Sequence, residues 1–187
     1  MKLSAIFACI SVATGLGQAN HPLAEVHSAT VFTCETISLG RPGEGVSYKG
    51  IVRNDDYRFT AAIPPGLVGW GGAPGAPFHG FTVFLNEKSR AGSCIHFLVR
   101  VHVDLPEDAP PATRGRMLRV KVGNRNGLLT VTAGIVHGVN VENRSVQVEL
   151  PRGGYKDDLT ITLITPAADK RGAIPIFEKF ISQIEFW

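Results

Sequence analysis

The feature that most constrains this chain is a two-residue alternation of side-chain character that recurs along its length. Its clearest run is Cys94 to Asp104, where Ile95, Phe97, Val99, Val101 and Val103 share one phase. Cys94, His96, Leu98, Arg100, His102 and Asp104 share the other. Successive side chains of an extended backbone point to opposite faces, so such a run buries one face of a strand. Shorter runs of the same kind are Thr30–Leu39, Tyr57–Ile63, Gly80–Leu85, Met117–Val122, Leu128–Val136, Ser145–Leu150 and Leu159–Ile164. Asn54-Asp55-Asp56, Asn124-Arg125-Asn126-Gly127 and Arg152-Gly153-Gly154 punctuate them as turns. Asn126-Gly127 is the strongest hairpin signal, because both residues tolerate positive φ. The pattern predicts a mostly antiparallel sheet of about eight strands.

One segment departs from it. In Pro175–Ile184, Ile176, Phe177, Phe180, Ile181 and Ile184 recur at helical spacing, with Glu178, Lys179, Ser182 and Gln183 on the other side. Proline suits a first helical turn, so the spacing predicts an amphipathic C-terminal helix packed on the sheet, ahead of a Glu185-Phe186-Trp187 tail. Sheet plus packed helix makes the fold class α+β. Two segments rich in proline or glycine, Pro64–Pro77 and residues 106–115, are expected as loops. Proline withholds a ladder donor and glycine weakens a strand.

The first residues set the compartment. Lys2 is followed by an apolar or small stretch, Leu3 to Gly17, without an acid, and Gly17-Gln18-Ala19 places small residues where a cleavage site needs them. This is the order of parts in a secretory signal peptide, expected over 1–19, with a single β-rich domain over 20–187. Cys9 falls within the discarded part. Nothing after residue 20 is apolar for long enough to predict a membrane-crossing helix. The remaining cysteines, Cys34 and Cys94, read as a disulfide in an exported chain, or else as two free buried thiols. A bridge between them stabilises by about 4 kcal/mol on the loop-entropy view. A formal net charge of +3 is far from the basic balance of a nucleic-acid binder.

Some of these segments resemble the PsbP/Mog1-like fold, an antiparallel sheet between helices. Tyr57-Arg58-Phe59-Thr60-Ala61-Ala62-Ile63-Pro64-Pro65-Gly66 resembles its opening strand and proline-rich turn. Leu159 to Thr165, Pro166, and Phe177 to Phe186 resemble its last long strand, closing helix and terminal strand. His79-Gly80-Phe81 is similar to uncharacterised exported bacterial proteins of this layout. The matches span about a quarter of the chain and leave residues 87–127 unaccounted for. The resemblance implies association with a partner more than catalysis, and a fold alone does not fix function.

Residue types that carry chemistry are sparse. No G-x-S-x-G, S-x-x-K, H-E-x-x-H or phosphate-binding glycine loop occurs, which lowers the expectation of an enzyme without excluding one assembled from distant residues. Cys94 and His96 share a strand face, but a bridged cysteine is no nucleophile. His96 and His102 sit about 20 Å apart along one strand and cannot share an ion. No metal or cofactor is expected. Arg114, Arg116, Arg119, Lys121 and Arg125 form the one basic cluster, with Arg119 and Lys121 opposite Leu118, Val120 and Val122. They read as a patch for an anionic surface or as the solvated side of a strand. Trp70, alone among glycines, reads as a contact anchor or as a cap on the core. Trp70, His79, Arg119 and Lys121 are the candidate binding residues. Asn143-Arg144-Ser145 matches a glycosylation acceptor.

These features are expected of a secreted or periplasmic, non-catalytic binding protein of the bacterial envelope or extracellular space, with a protein or envelope component as partner. The alternatives are an inhibitor or immunity protein that blocks a hydrolase, and an unrecognised hydrolase or metal-dependent enzyme. For the first alternative, Val31-Phe32-Thr33-Cys34-Glu35 is similar to the opening strand of C-type lysozyme inhibitors.

Overall fold

The computed structural model describes residues 33–34, 40–73, 78–86, 92–101, 117–152 and 155–187. The expected signal segment, most of Thr30–Leu39, residues 74–77 and 106–115, His102, Asp104, Arg114, Arg116 and the Gly153-Gly154 turn lie outside them.

Each alternating run from Tyr57 onward holds a strand where it is described. β1 (Val46–Tyr48), β2 (Ile51–Asn54), β3 (Phe59–Ala62), β4 (Gly69–Gly71), β5 (Gly80–Phe84) and β6 (Cys94–Val101) come first. β7 (Met117–Val122), β8 (Arg125–Val136), β9 (Val139–Arg152), β10 (Tyr155–Pro166), helix α1 (Lys170–Ser182) and β11 (Glu185–Phe186) follow. Eight strands form one antiparallel sheet in the order β1-β4-β5-β6-β10-β9-β8-β7, and β11-β3-β2 form a smaller one. The chain is therefore α+β and mostly antiparallel, as its pattern predicts.

The core lies on one face of the large sheet, under α1 and the small sheet. Phe59, Phe81, Phe97 and Phe180 are all but fully buried. Phe81 and Phe97 stack with centroids 4.7 Å apart, and Phe180 of α1 meets Phe97 edge-on at 6.2 Å. The opposite face carries a second buried cluster, Cys34, Phe84, Cys94, Val141 and Ile164. That is why β6 is buried on both faces at its start, where alternation predicts one: Cys94, Ile95, His96 and Phe97 are all inside. Cys34 and Cys94 are disulfide-bonded, with Cα atoms 5.9 Å apart, and the bond pins residue 34 to this face.

Four expectations are corrected. Gly69–Gly71 is a strand inside the large sheet, not part of a loop, because its glycines let aromatic neighbours approach. A Cβ on Gly71 would lie 2.2 Å from the Gly80 carbonyl oxygen and one on Gly69 3.1 Å from the Phe81 ring. The β7–β8 turn sits at Gly123-Asn124, three residues before the Asn-Gly pair, since Val122 pairs with Arg125. This register keeps Val122 buried and puts Gly123, at φ 52°, where any side chain would strike the Ile184 carbonyl. Helix α1 starts at Lys170, so Pro175 lies inside it rather than in its first turn. The Asp169 carbonyl accepts from the Gly172 and Ala173 amides and opens the helix early. Finally, Cys34 is helical rather than part of a strand over Thr30–Leu39.

The C-terminal tail is a strand as well. β11 pairs with β3, and Asn124 holds its other side like a strand residue. The Asn124 side-chain amide donates to the Phe186 carbonyl at 2.8 Å, and the Phe186 N–H donates to Asn124 Oδ1 at 3.3 Å. Arg125 lies over the Phe186 ring at 5.0 Å.

Candidate interaction surface

On the face that carries the disulfide, strand register lines up one residue from each of the eight strands: Ser47, Trp70, Thr82, His96, Thr162, Ser145, Thr130 and Met117. Trp70 is half-buried, its ring packed on the second cluster beside the disulfide. The sequence left open whether it anchors or caps; it covers this cluster and keeps part of its surface in solvent. Thr82 Oγ1 lies 3.2 Å from His96 Nδ1, and Ser145 Oγ lies 3.0 Å from Thr162 Oγ1. Burial, and to a lesser extent the Arg100 charge four residues along, lowers the pKa of His96 to about 4. A charged imidazole there would lose its hydration without gaining a counter-ion. At neutral pH His96 is thus an uncharged hydrogen-bonding group, not an acid or base poised for transfer.

The other candidate residues lie elsewhere. His79 is exposed just before β5, and its carbonyl accepts from the Val99 N–H at 3.1 Å. It sits three residues from Thr82, about 10 Å along the strand. Arg119 and Lys121 are exposed on β7, the last strand of the sheet. Six inter-strand steps separate β7 from β4, about 29 Å. Trp70 and the two cations therefore belong to separate surfaces. On β7 the apolar phase grades from the buried Val122 through Val120 to the exposed Leu118, so the strand leaves the core as it runs back toward Met117. Among the described residues no three His, Cys, Asp or Glu side chains come together as metal ligands. Asn143, the glycosylation candidate, is 4% exposed in mid-strand β9. Its amide oxygen has no hydrogen-bond partner, and no glycan fits there.

Several features had no sequence signal. Glu142 is buried between two cations: the Arg144 Nε–Glu142 Oε1 distance is 2.7 Å, and Lys170 at the start of α1 pairs with the other oxygen. Burial pushes the Glu142 pKa up, but hydrogen bonds and charge from Lys170 and Arg144 outweigh it and leave it lowered. Arg144 lies two residues along the same strand, but Lys170 comes from the helix, which strand spacing does not pair with Glu142. A depression of about 330 Å³ lies where Leu85, Asn86 and Ser93 meet Asp169, Gly172 and Ile176. The β8–β9 hairpin extends past the core and exposes Ile135 and Val139 around a turn with His137 at φ 49°. No helix among the described residues is long and apolar enough to cross a membrane.

The chain matches no family model and no curated protein. Among solved structures it is similar to a protein of Bacteroides thetaiotaomicron VPI-5482, with 12% identity and a TM-score of 0.49 over 75% of this chain and 49% of that one. It spans about half the length of that protein. It is also similar to LpqN of Mycobacterium tuberculosis, a protein involved in cell envelope biogenesis, with 10% identity and a TM-score of 0.49 over 74% of this chain and 90% of LpqN. Function therefore has to be argued from this chain's own side chains.

Proposed function

We propose that this chain is an exported, non-catalytic binding protein of the bacterial envelope or extracellular space. The observation that carries the reading is the buried Cys34–Cys94 disulfide, which closes the second cluster under Trp70. A structural bridge of this kind belongs to an oxidising compartment, and residues 1–19 supply the export signal that would deliver the chain there. The partner is a protein or envelope component that meets the solvent-facing part of Trp70 or the Arg119–Lys121 edge. The PsbP/Mog1-like resemblance supports the same reading, because a long β10, then α1, then β11 follow in the order it implies.

Expression with residues 1–19 intact, followed by N-terminal sequencing and thiol counting, tests export. Mature protein beginning at Asn20, with two cysteines that titrate only after reduction, is expected. Cytosolic protein with free thiols would refute the reading. Pull-down from envelope extract with wild type and Trp70→Ala tests the surface, and equal recovery of every partner removes Trp70 from it.

A further inference from the structure

Strand β7 ends the eight-stranded sheet among the described residues, and its outer backbone edge faces away from β8. It is six residues long, twice the length of β1 at the other edge. Together β7 and β8 carry Arg119, Lys121 and Arg125 and no acid. Met117, Leu118 and Leu128 are exposed beside the two outer cations. Arg119 and Lys121 share the disulfide-bearing face, and Leu118 and Val120 share the core face. An edge left unpaired among the described residues can recruit an additional strand, and natural sheets blunt such edges with charge. The charge here is of one sign, so it selects as well as blunts. If two copies paired antiparallel through β7 in either of the two longest registers that preserve faces, Arg119 would stand opposite Lys121 or opposite itself. Like charges directly across strands are destabilising, so a second copy is disfavoured.

We propose that β7 is a docking edge for an extended acidic segment of a partner protein, which adds a ninth strand to the large sheet. Main-chain hydrogen bonds to the open edge hold it, and alternation gives specificity. Acidic residues two apart face Arg119 and Lys121, while the intervening apolar residues continue the face of Leu118 and Val120. This inference rests on the binding-protein reading and names the partner's chemistry at one of its two surfaces.

The test uses the full mature protein and a fluorescein-labelled nine-residue peptide of alternating glutamate and valine, against a peptide of the same composition in two blocks. Fluorescence anisotropy is expected to show at least tenfold tighter binding of the alternating peptide. The double substitution Arg119→Glu, Lys121→Glu weakens it at least tenfold while leaving the melting temperature unchanged, because both side chains are exposed. Lys121→Gln alone gives an intermediate loss. Amide hydrogen exchange over Met117–Val122 slows on binding. Absent binding, equal affinity for both peptides, equal affinity for anionic phospholipid vesicles, or unchanged exchange over β7 each overturn the proposal. Trp70 lies about six strand spacings away, so failure here leaves the outcome of the Trp70→Ala pull-down standing, and the reverse.

Discussion

A methyl group added at Gly71 would lie 2.2 Å from a carbonyl oxygen, and one at Gly123 would strike the Ile184 carbonyl, whereas one at Gly72 meets nothing within 4 Å. Gly71→Ala and Gly123→Ala are therefore expected to cost about 1–3 kcal/mol or more through overpacking. Gly72→Ala should fall within about 0.5 kcal/mol of wild type. Urea unfolding of the three variants checks this, and similar midpoints for Gly71→Ala and Gly72→Ala would contradict the strand assigned to β4. His96 makes a second prediction at this scale. Its folded pKa of about 4 lies below that of an unfolded histidine, so the unfolded chain takes up the proton first. The stability it contributes is complete above about pH 6.5 and is lost as pH falls toward 4, by about 3 kcal/mol in all. His96→Gln cannot titrate and should flatten that part of the urea midpoint against pH. Glu142 adds to the loss at lower pH in the same sense, because its carboxylate is favoured in the fold.

At the scale of elements, the disulfide and the C-terminal strand hold opposite faces of the large sheet. Cys34→Ser with Cys94→Ser should cost about 4 kcal/mol on the loop-entropy view, for a bridge that spans 60 residues of sequence. The loss should reach the residues around Trp70 first, read as a change in tryptophan emission below the global midpoint. On the other face, Ile184 and Phe186 are buried, and β11 is clamped between β3 and Asn124. Truncation after Gln183 removes two buried side chains worth about 1.5–3 kcal/mol each. That is comparable to the net stability of a whole domain, so loss of a cooperative thermal transition by circular dichroism is expected.

At the scale of the whole molecule, what reads from sequence and what does not divide by distance along the chain. Strand phase and the closing helix are local: they follow from which side of a pleat or a helical turn an apolar residue falls on. Eight paired strands, the Gly123 turn and the Gly69–Gly71 strand are not, because each depends on a partner far away in sequence. Turn propensity favours Asn126-Gly127, yet burying Val122 and seating Gly123 against Ile184 outweigh it. The candidate site divides in the same way. The exposure of Arg119 and Lys121 opposite an apolar phase is legible from alternation. Their separation from Trp70 by most of the sheet's width is set by strand order, which no periodicity encodes.

By itself, then, the sequence determined the class of the fold, the phase of its strands, the presence of an amphipathic helix and the pairing open to two cysteines, since these are properties of neighbouring residues. Tertiary structure alone decided that β6 is buried on both faces, that His96 is an uncharged interior group, that Asn143 is closed to glycosylation, and that one cationic strand is left at the rim. The physical reason is common to all four. Burial and edge exposure are set by what packs from elsewhere in the chain, and that is fixed only when the sheet order is.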